Sequence, residues 1–390
     1  MAITVIDRAK GILSQKAIEK AASMLKKGDE KNLTSLFRGI ASIAPARYHR
    51  ETFKLLADMI EKNDPFVGFV KRIALELNPH CLSKFIHNLV VNFMVLGRGI
   101  RDQKEKEYDV HLPNFMVISP TMKCNLHCKG CYAAEYDTSR ELTFYELDNL
   151  LKDAKDLGMY FFTFSGGEAF FRNDLLDLWE KHNDCYFQVY TNGTLLDEKM
   201  VDRLVKLGNV MPMISVEGSR EQTDFRRGPG VYDKVIAAYQ RLNEAGVMFG
   251  FSATYTRSAA DYMASDEFIQ TMIQRGCKVG WFFQYVPVGE NPDLSYMATP
   301  HQRARLHEKV EEWRHRDDCP IFIGDFWNDG PYVDGCMAAG ERYWHIISDG
   351  SVEPCVFVPF AVDNIRQKSL VDIARSPFFT YIRNQLPYDG

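Results

Sequence analysis

The chain has 390 residues, 46% hydrophobic and 25% charged, a length for two to three domains with substantial cores and an ordinary globular composition. Nine cysteines, an odd number, and an amino terminus without an apolar signal core argue against a disulfide framework and for a reducing cytoplasm. A net charge of −5 and a pI near 6.1, with no recognisable nucleic-acid module, argue against a nucleic-acid partner.

Charge is unevenly spread. Residues 1–105 hold 18 Lys and Arg against 11 Asp and Glu, net +7, which leaves −12 for the remainder. That asymmetry fits either a solvated helical face or a footprint for an anionic surface. Up to about residue 110 the pattern is helical: Ala17, Ala21, Met24 and Leu25 recur at helical spacing, as do Phe53, Leu56 and Ile60. Pro45 and the run Asn63-Asp64-Pro65 are expected to break it. Leu82 to Gly97 is apolar with basic flanks at Lys84, Arg98 and Arg101. Such a helix packs on its own domain or lies against a membrane interface or partner. It is no membrane span, because His87, Asn88 and Asn92 interrupt Phe85 to Leu96.

From about residue 112 short apolar runs alternate with helical patterns, the signature of parallel βαβ units. Strands are predicted at Phe115–Ser119, Tyr160–Phe164, Tyr186–Tyr190, Met211–Val216, Met248–Tyr255 and Gly280–Val286. Six units make a partial barrel, with ligands expected at the carboxyl ends of the strands. Thr143 and Glu146 form a capping box for a helix with Leu147, Leu150, Leu151, Ala154 and Leu157 on one face.

The loop after the first strand holds Cys124, Cys128 and Cys131. Three thiolates on a cubane iron–sulfur cluster leave one iron open to a non-protein ligand. Structural zinc generally takes four ligands, and His127 sits inside the triplet at a spacing typical of no zinc motif. The second strand runs into Ser165-Gly166-Gly167-Glu168, the third ends at Thr191-Asn192-Gly193, and the fourth at Ser215-Val216-Glu217-Gly218, ahead of Asp224-Phe225-Arg226-Arg227-Gly228.

In this order on successive strands, the motifs resemble the radical S-adenosylmethionine (SAM) superfamily. The resemblance implies a [4Fe–4S] cluster on Cys124, Cys128 and Cys131, and SAM held by Gly166, Gly167, Glu168, Asn192, Ser215 and Arg227. The Glu168 carboxylate would be free for the SAM ammonium, and Arg227 would pair with the SAM carboxylate. An Asn-Gly turn explains Asn192 and Gly193 without a ligand. Three positions depart from the family pattern: Ala169 where Pro is usual, Glu217 for Asp, and Thr223 for His. Tyr285 and Val286, ending the sixth strand, are candidates to pack against adenine.

Towards the carboxyl end, Cys336 is followed by Gly350-Ser351-Val352-Glu353-Pro354-Cys355. This resembles the opening of the SPASM and twitch domains and implies an auxiliary [4Fe–4S] cluster using Cys336 and Cys355, with a hairpin at Ser348-Asp349-Gly350 uniting the thiols. No cysteine follows Cys355, so either the natural protein continues past Tyr388-Asp389-Gly390 or another group, Cys319 among them, completes the set. Cys81, Cys185 and Cys277 read as buried thiols. Asp325, in a carboxylate-rich loop with Asp329 and Asp334, is a candidate proton carrier, although a turn has the same composition.

The expected architecture is therefore α/β: a helical extension over 1–110, a partial (β/α)6 TIM-type barrel over 111–310, and an α+β SPASM/twitch-like unit over 311–390. The expected activity is reductive cleavage of SAM to a 5′-deoxyadenosyl radical that takes hydrogen from an unactivated C–H, with a flavodoxin or ferredoxin as reductant. The basic, apolar extension points to a lipid or membrane-associated substrate and a place on the inner membrane face. The alternatives are a peptide or protein maturase of the SPASM class, or a non-catalytic iron–sulfur electron carrier.

Overall fold

The computed structural model describes Lys20, Ser23, Met24 and residues 30–43, 47–62, 64–134, 136–289, 291–333 and 335–385. The readings at Ala17, Ala21, Leu25, Pro45, Asn63, Asp334 and Tyr388 to Gly390 fall outside these residues.

Helices Glu30–Ile43 and Arg47–Glu61 meet through Phe37 and Phe53, 6.0 Å between ring centroids, and share a small core with Leu56, Ile60 and Ala74. Asp64 and Pro65 start a helix rather than merely ending one. The Asp64 carboxylate accepts the Phe66 N–H, and Pro65 stands first in Pro65–Glu76, where its missing N–H costs nothing. After the short helix Pro79–Lys84 comes a π-helix over Phe85–Gly97, continuing directly into the α-helix Arg98–Tyr108. The sequence led us to expect an α-helix here, and the wider turn is a correction. Its asparagines explain the interruptions in the apolar run. Asn88 Nδ2 donates to the carbonyls of Asn183 and Cys185, and Asn92 Nδ2 to that of Asp184, which anchors the helix to the loop entering the third strand. Among the described residues, no helix is long and apolar enough to cross a membrane.

Among the described residues, ten strands form one sheet in the order β10-β9-β8-β1-β2-β3-β4-β5-β6-β7. The barrel strands are β1 (Phe115–Ile118), β2 (Phe161–Phe164), β3 (Tyr186–Thr191), β4 (Val210–Ser215), β5 (Gly250–Tyr255) and β6 (Val279–Gln284), all parallel. These are the six expected strands, displaced by a residue or two at their ends. Unforeseen is β7 (Phe322–Asp325), parallel to β6; it is short and interrupted by Gly324, over which the Trp281 ring lies. The carboxyl-terminal β8 (Tyr343–Ile346) pairs in parallel with β1. It then turns at Gly350, φ +85°, into antiparallel β9 (Ser351–Glu353) and β10 (Asp363–Asn364). Outside the sheet, the helices bury Trp179, Trp313 and Phe268. At the amino ends of the strands, Phe69, Leu82 and Ile86 of the extension pack against Met211, Met248 and Val279.

Candidate functional site

All three cysteines of the first loop line one cavity, together with Gly166, Gly167, Glu168, Asn192, Ser215 and Arg227. Burial pushes the Cys124 thiol up, and Cys128 likewise, although Arg227 and Arg226 oppose the rise there. The groups around them suit sulfur that carries negative charge. Asn192 Nδ2 lies 3.8 Å from Cys124 Sγ, and Arg227 Nη1 4.0 Å from Cys128 Sγ. Three thiols on one loop, two of them with a donor at the sulfur, fit an iron–sulfur cluster. His127 is exposed.

The double glycine serves the chain itself. Gly167 N donates to Thr121 O and Glu168 N to Lys123 O, drawing this loop against the cysteine loop so closely that a Cβ on Gly167 would lie 2.1 Å from Lys123 O. Nor is the Glu168 carboxylate free, as the motif led us to expect. It accepts from Thr191 Oγ1 (2.8 Å), Phe170 N (3.1 Å) and Asn192 N (2.8 Å). Burial raises its pKa, and the donated bonds only partly offset that. One of its four lone-pair sites remains for a ligand. Asn192 is occupied too: besides Cys124 it meets Asn125 Oδ1 at 2.8 Å, and its Oδ1 accepts from Thr194.

The unusual Glu217 is buried between Arg226 and Arg227, its Oε1 2.6 Å from Arg226 Nη1 and 2.7 Å from Arg227 Nε. Burial raises its carboxyl, but the two guanidiniums outweigh this and hold it below the usual range. Thr223, another of the three departures, accepts the Glu217 N–H at 3.1 Å. The two replacements thus form one unit that positions Arg227. Tyr285 OH accepts the Asp293 N–H at 3.1 Å and its ring meets Tyr296 edge-on; Val286 lines the cavity beside it.

Around the carboxyl-terminal hairpin, Cys336 and Cys355 enter one cluster with Tyr343 and Phe357. Tyr343 OH lies 3.5 Å from Cys355 Sγ. Two thiols are half of what a protein-held cubane takes. Cys319 does not join them: it precedes β7, buried in the main core beneath Gln270. Asp325 is a further correction. It is buried and accepts from Asn328 Nδ2 (2.6 Å) and Trp327 N (3.4 Å), so it holds its own turn and does not line the cavity.

Sequence reasoning missed a buried relay between barrel and hairpin. Ser119 Oγ meets His345 Nε2 at 2.8 Å, His345 Nδ1 meets Glu353 Oε2 at 2.8 Å, and Tyr136 OH donates to the same carboxylate. Its members lie up to 234 positions apart, and no local motif marks them.

The cavity holds about 1720 Å³, against roughly 300–1,000 Å³ for ordinary small-molecule sites. Below the cysteine loop it follows the barrel interior past Thr163, Gln188, Ser252 and Trp281, reaches Met211 and Met248, and continues between Phe69, Leu89 and Phe93 of the extension.

A family model of the radical SAM superfamily matches residues 118–256, and one of the SPASM iron–sulfur cluster-binding domain matches residues 336–389. Fe-coproporphyrin III synthase of Methanosarcina barkeri is 28% identical over 56% of this chain and 57% of that protein. The sporulation killing factor maturation protein SkfB of Bacillus subtilis is 24% identical over 68% of this chain and 65% of that protein. The chain thus spans less than two thirds of the length of either relative. Streptococcus suis SuiB, solved with its precursor peptide SuiA, shares the fold with a TM-score of 0.62 at 19% identity, covering 82% of this chain and 83% of that one. The chain therefore carries a radical SAM domain over residues 118–256 and a SPASM-type iron–sulfur cluster-binding domain over residues 336–389.

Proposed function

We propose that this enzyme functionalises an unactivated C–H of a lipid or membrane-associated molecule, for instance in C–C bond formation. The single observation that carries the substrate class is the apolar cavity running from the cysteine loop to the helical extension. A [4Fe–4S] cluster and SAM, when bound, supply the electron and the 5′-deoxyadenosyl radical that takes the hydrogen atom.

The chain's own residues bind, orient and exclude water. Cys124, Cys128 and Cys131 hold the cluster. Gly166, Gly167, Ser215 and the remaining acceptor site of Glu168 receive SAM, while Arg227, steadied by Glu217, turns one nitrogen to the SAM carboxylate. Asn192 fixes Cys124, and Tyr285 with Val286 closes over adenine. Cys336 and Cys355 contribute to an auxiliary cluster. The functional division follows residues 1–110, 111–310 and 311–390, with the basic extension resting on an anionic cytoplasmic membrane face and a flavodoxin or ferredoxin as reductant.

A second reading is a peptide maturase. It is favoured by the similarity to SkfB, a maturation protein, and to SuiB, which binds the precursor peptide SuiA. Anaerobically reconstituted protein with reductant and SAM, offered lipid extract or peptide pools in parallel, separates the two. Formation of 5′-deoxyadenosine stimulated by lipid alone is expected; stimulation by peptide alone overturns the lipid reading, and none with either overturns both.

A further inference from the structure

Resting on the lipid reading, we infer that the lower half of the cavity is a tail site: it takes one long hydrocarbon chain of an amphiphile, polar end towards the cysteine loop and tail end under the π-helix. Three observations carry this.

The first is polarity by depth. At the carboxyl ends of the strands the lining includes Lys123, Glu168 and Arg227; midway come Thr163, Gln188 and Ser252, with Gln188 Nε2 on Tyr190 OH at 2.9 Å. Below that layer the lining is mostly apolar, Met248 and Val279 of the barrel and then Phe69, Leu89 and Phe93 of the extension, with Asn114 and Arg342 at the amino ends of β1 and β8 as its polar members. Away from the Arg342 edge, desolvating a charged or strongly polar group would go uncompensated, whereas a hydrocarbon gains burial with every methylene.

The second is reach. Strands of six residues such as β3 rise about 20 Å, and the cavity continues beyond them into the helical layer. A barrel of this type normally fills its interior with side chains; here Thr163, Gln188 and Met211, which sit side by side in register on β2, β3 and β4, leave it open. The depth suits an extended chain on the order of sixteen carbons.

The third is the π-helix. Thirteen residues of π-geometry far exceed the usual single-turn bulge, and such segments concentrate at functional sites. The wide turn directs Phe85, Leu89, Val90, Phe93 and Met94 to the cavity, while Asn88 and Asn92 hold the opposite side to the barrel.

The test uses the full-length, anaerobically reconstituted protein and two hexadecanoic acid photoprobes, one with a diazirine at the chain terminus and one with it beside the carboxylate. The terminal diazirine is expected to label residues 65–97, and the carboxylate-proximal one the barrel around the cysteine loop. Plugging the lumen with Met211→Trp, or the helical layer with Leu89→Trp, is expected to raise the probe Kd about tenfold, the burial of two methylenes. The second plug covers the case in which the first fails to fold. A reversed labelling pattern, labelling confined to the outer surface, or an unchanged Kd in both folded plugs overturns the tail site. Failure of the parent reading looks different: probe binding and depth-dependent labelling persist, but no lipid stimulates 5′-deoxyadenosine formation.

Discussion

Arg227 and Glu217 form a buried ion pair, Nη2 to Oε1 2.5 Å, that leaves the third guanidinium nitrogen 4.0 Å from the Cys128 sulfur. The pair holds an arginine at the end of the helix Arg220–Arg227 as a fixed positive charge beside Cys128. Arg226 shares the same carboxylate oxygen, so one Glu balances two cations.

Removing that balance should destabilise the fold before it touches chemistry. Glu217→Ala leaves two poorly solvated guanidiniums and is expected to cost about 3–5 kcal/mol, read by urea unfolding under anaerobic conditions. The folded carboxyl is held below its ordinary value, so the stability it contributes is present above about pH 4.5 and is lost as pH falls through the lower folded value. The wild-type advantage over Glu217→Ala should therefore shrink on acidification.

Arg227→Lys should separate binding from cluster assembly. An ammonium cannot both pair with Glu217 and present a second donor towards a carboxylate. SAM affinity measured by calorimetry is expected to fall about tenfold or more with iron content unchanged. Equal loss of iron would show that Arg227 serves the cluster instead.

Gly167→Ala places a methyl 2.1 Å from the Lys123 carbonyl oxygen. Both partners are backbone, so neither gives way without moving the cysteine loop. The expected cost is about 1–3 kcal/mol, accompanied by a lowered iron content per chain and a far-UV circular dichroism spectrum like the wild type's.

Asn88→Leu removes two hydrogen bonds from the π-helix to the barrel. Cys185 O keeps Asn209 as a donor and Asn183 O keeps Lys84, so neither carbonyl is stranded. A loss of about 1–2 kcal/mol is expected by urea titration, with hydrogen exchange rising most over residues 85–97.

Arg366 ties the carboxyl-terminal unit to the barrel through Glu146, 2.5 Å away at the capping box of the first barrel helix. The Arg366 hydrogen bond, more than any other cause, brings the Glu146 carboxyl from 4.5 down to about 2. Its contribution is thus full above pH 4.5 and disappears as pH falls towards 2. Arg366→Met should unfold more easily than wild type at pH 7, and the difference should narrow steadily below pH 4.5 in a pH-resolved thermal melt.

What could be read before folding is local in origin. The six barrel strands, the Thr143–Glu146 box and the cysteine spacing each depend on neighbours within a few residues, so the linear order carries them. The short β7 escaped because Gly324 and Asp325 weaken its strand pattern while pairing with β6 supplies the missing stability.

The chain order alone pointed to the metal-binding chemistry, since the spacing of three thiols on one loop is read without tertiary information. Tertiary structure decided the rest: that Glu168 and Asn192 support the loop, that Asp325 lies outside the cavity lining, that His345 bridges Ser119 and Glu353, and that a π-helix lines the cavity. These depend on groups distant in sequence meeting in a water-poor interior, where an unpaired polar atom is expensive and a hydrogen-bond partner, wherever it comes from, fixes the geometry.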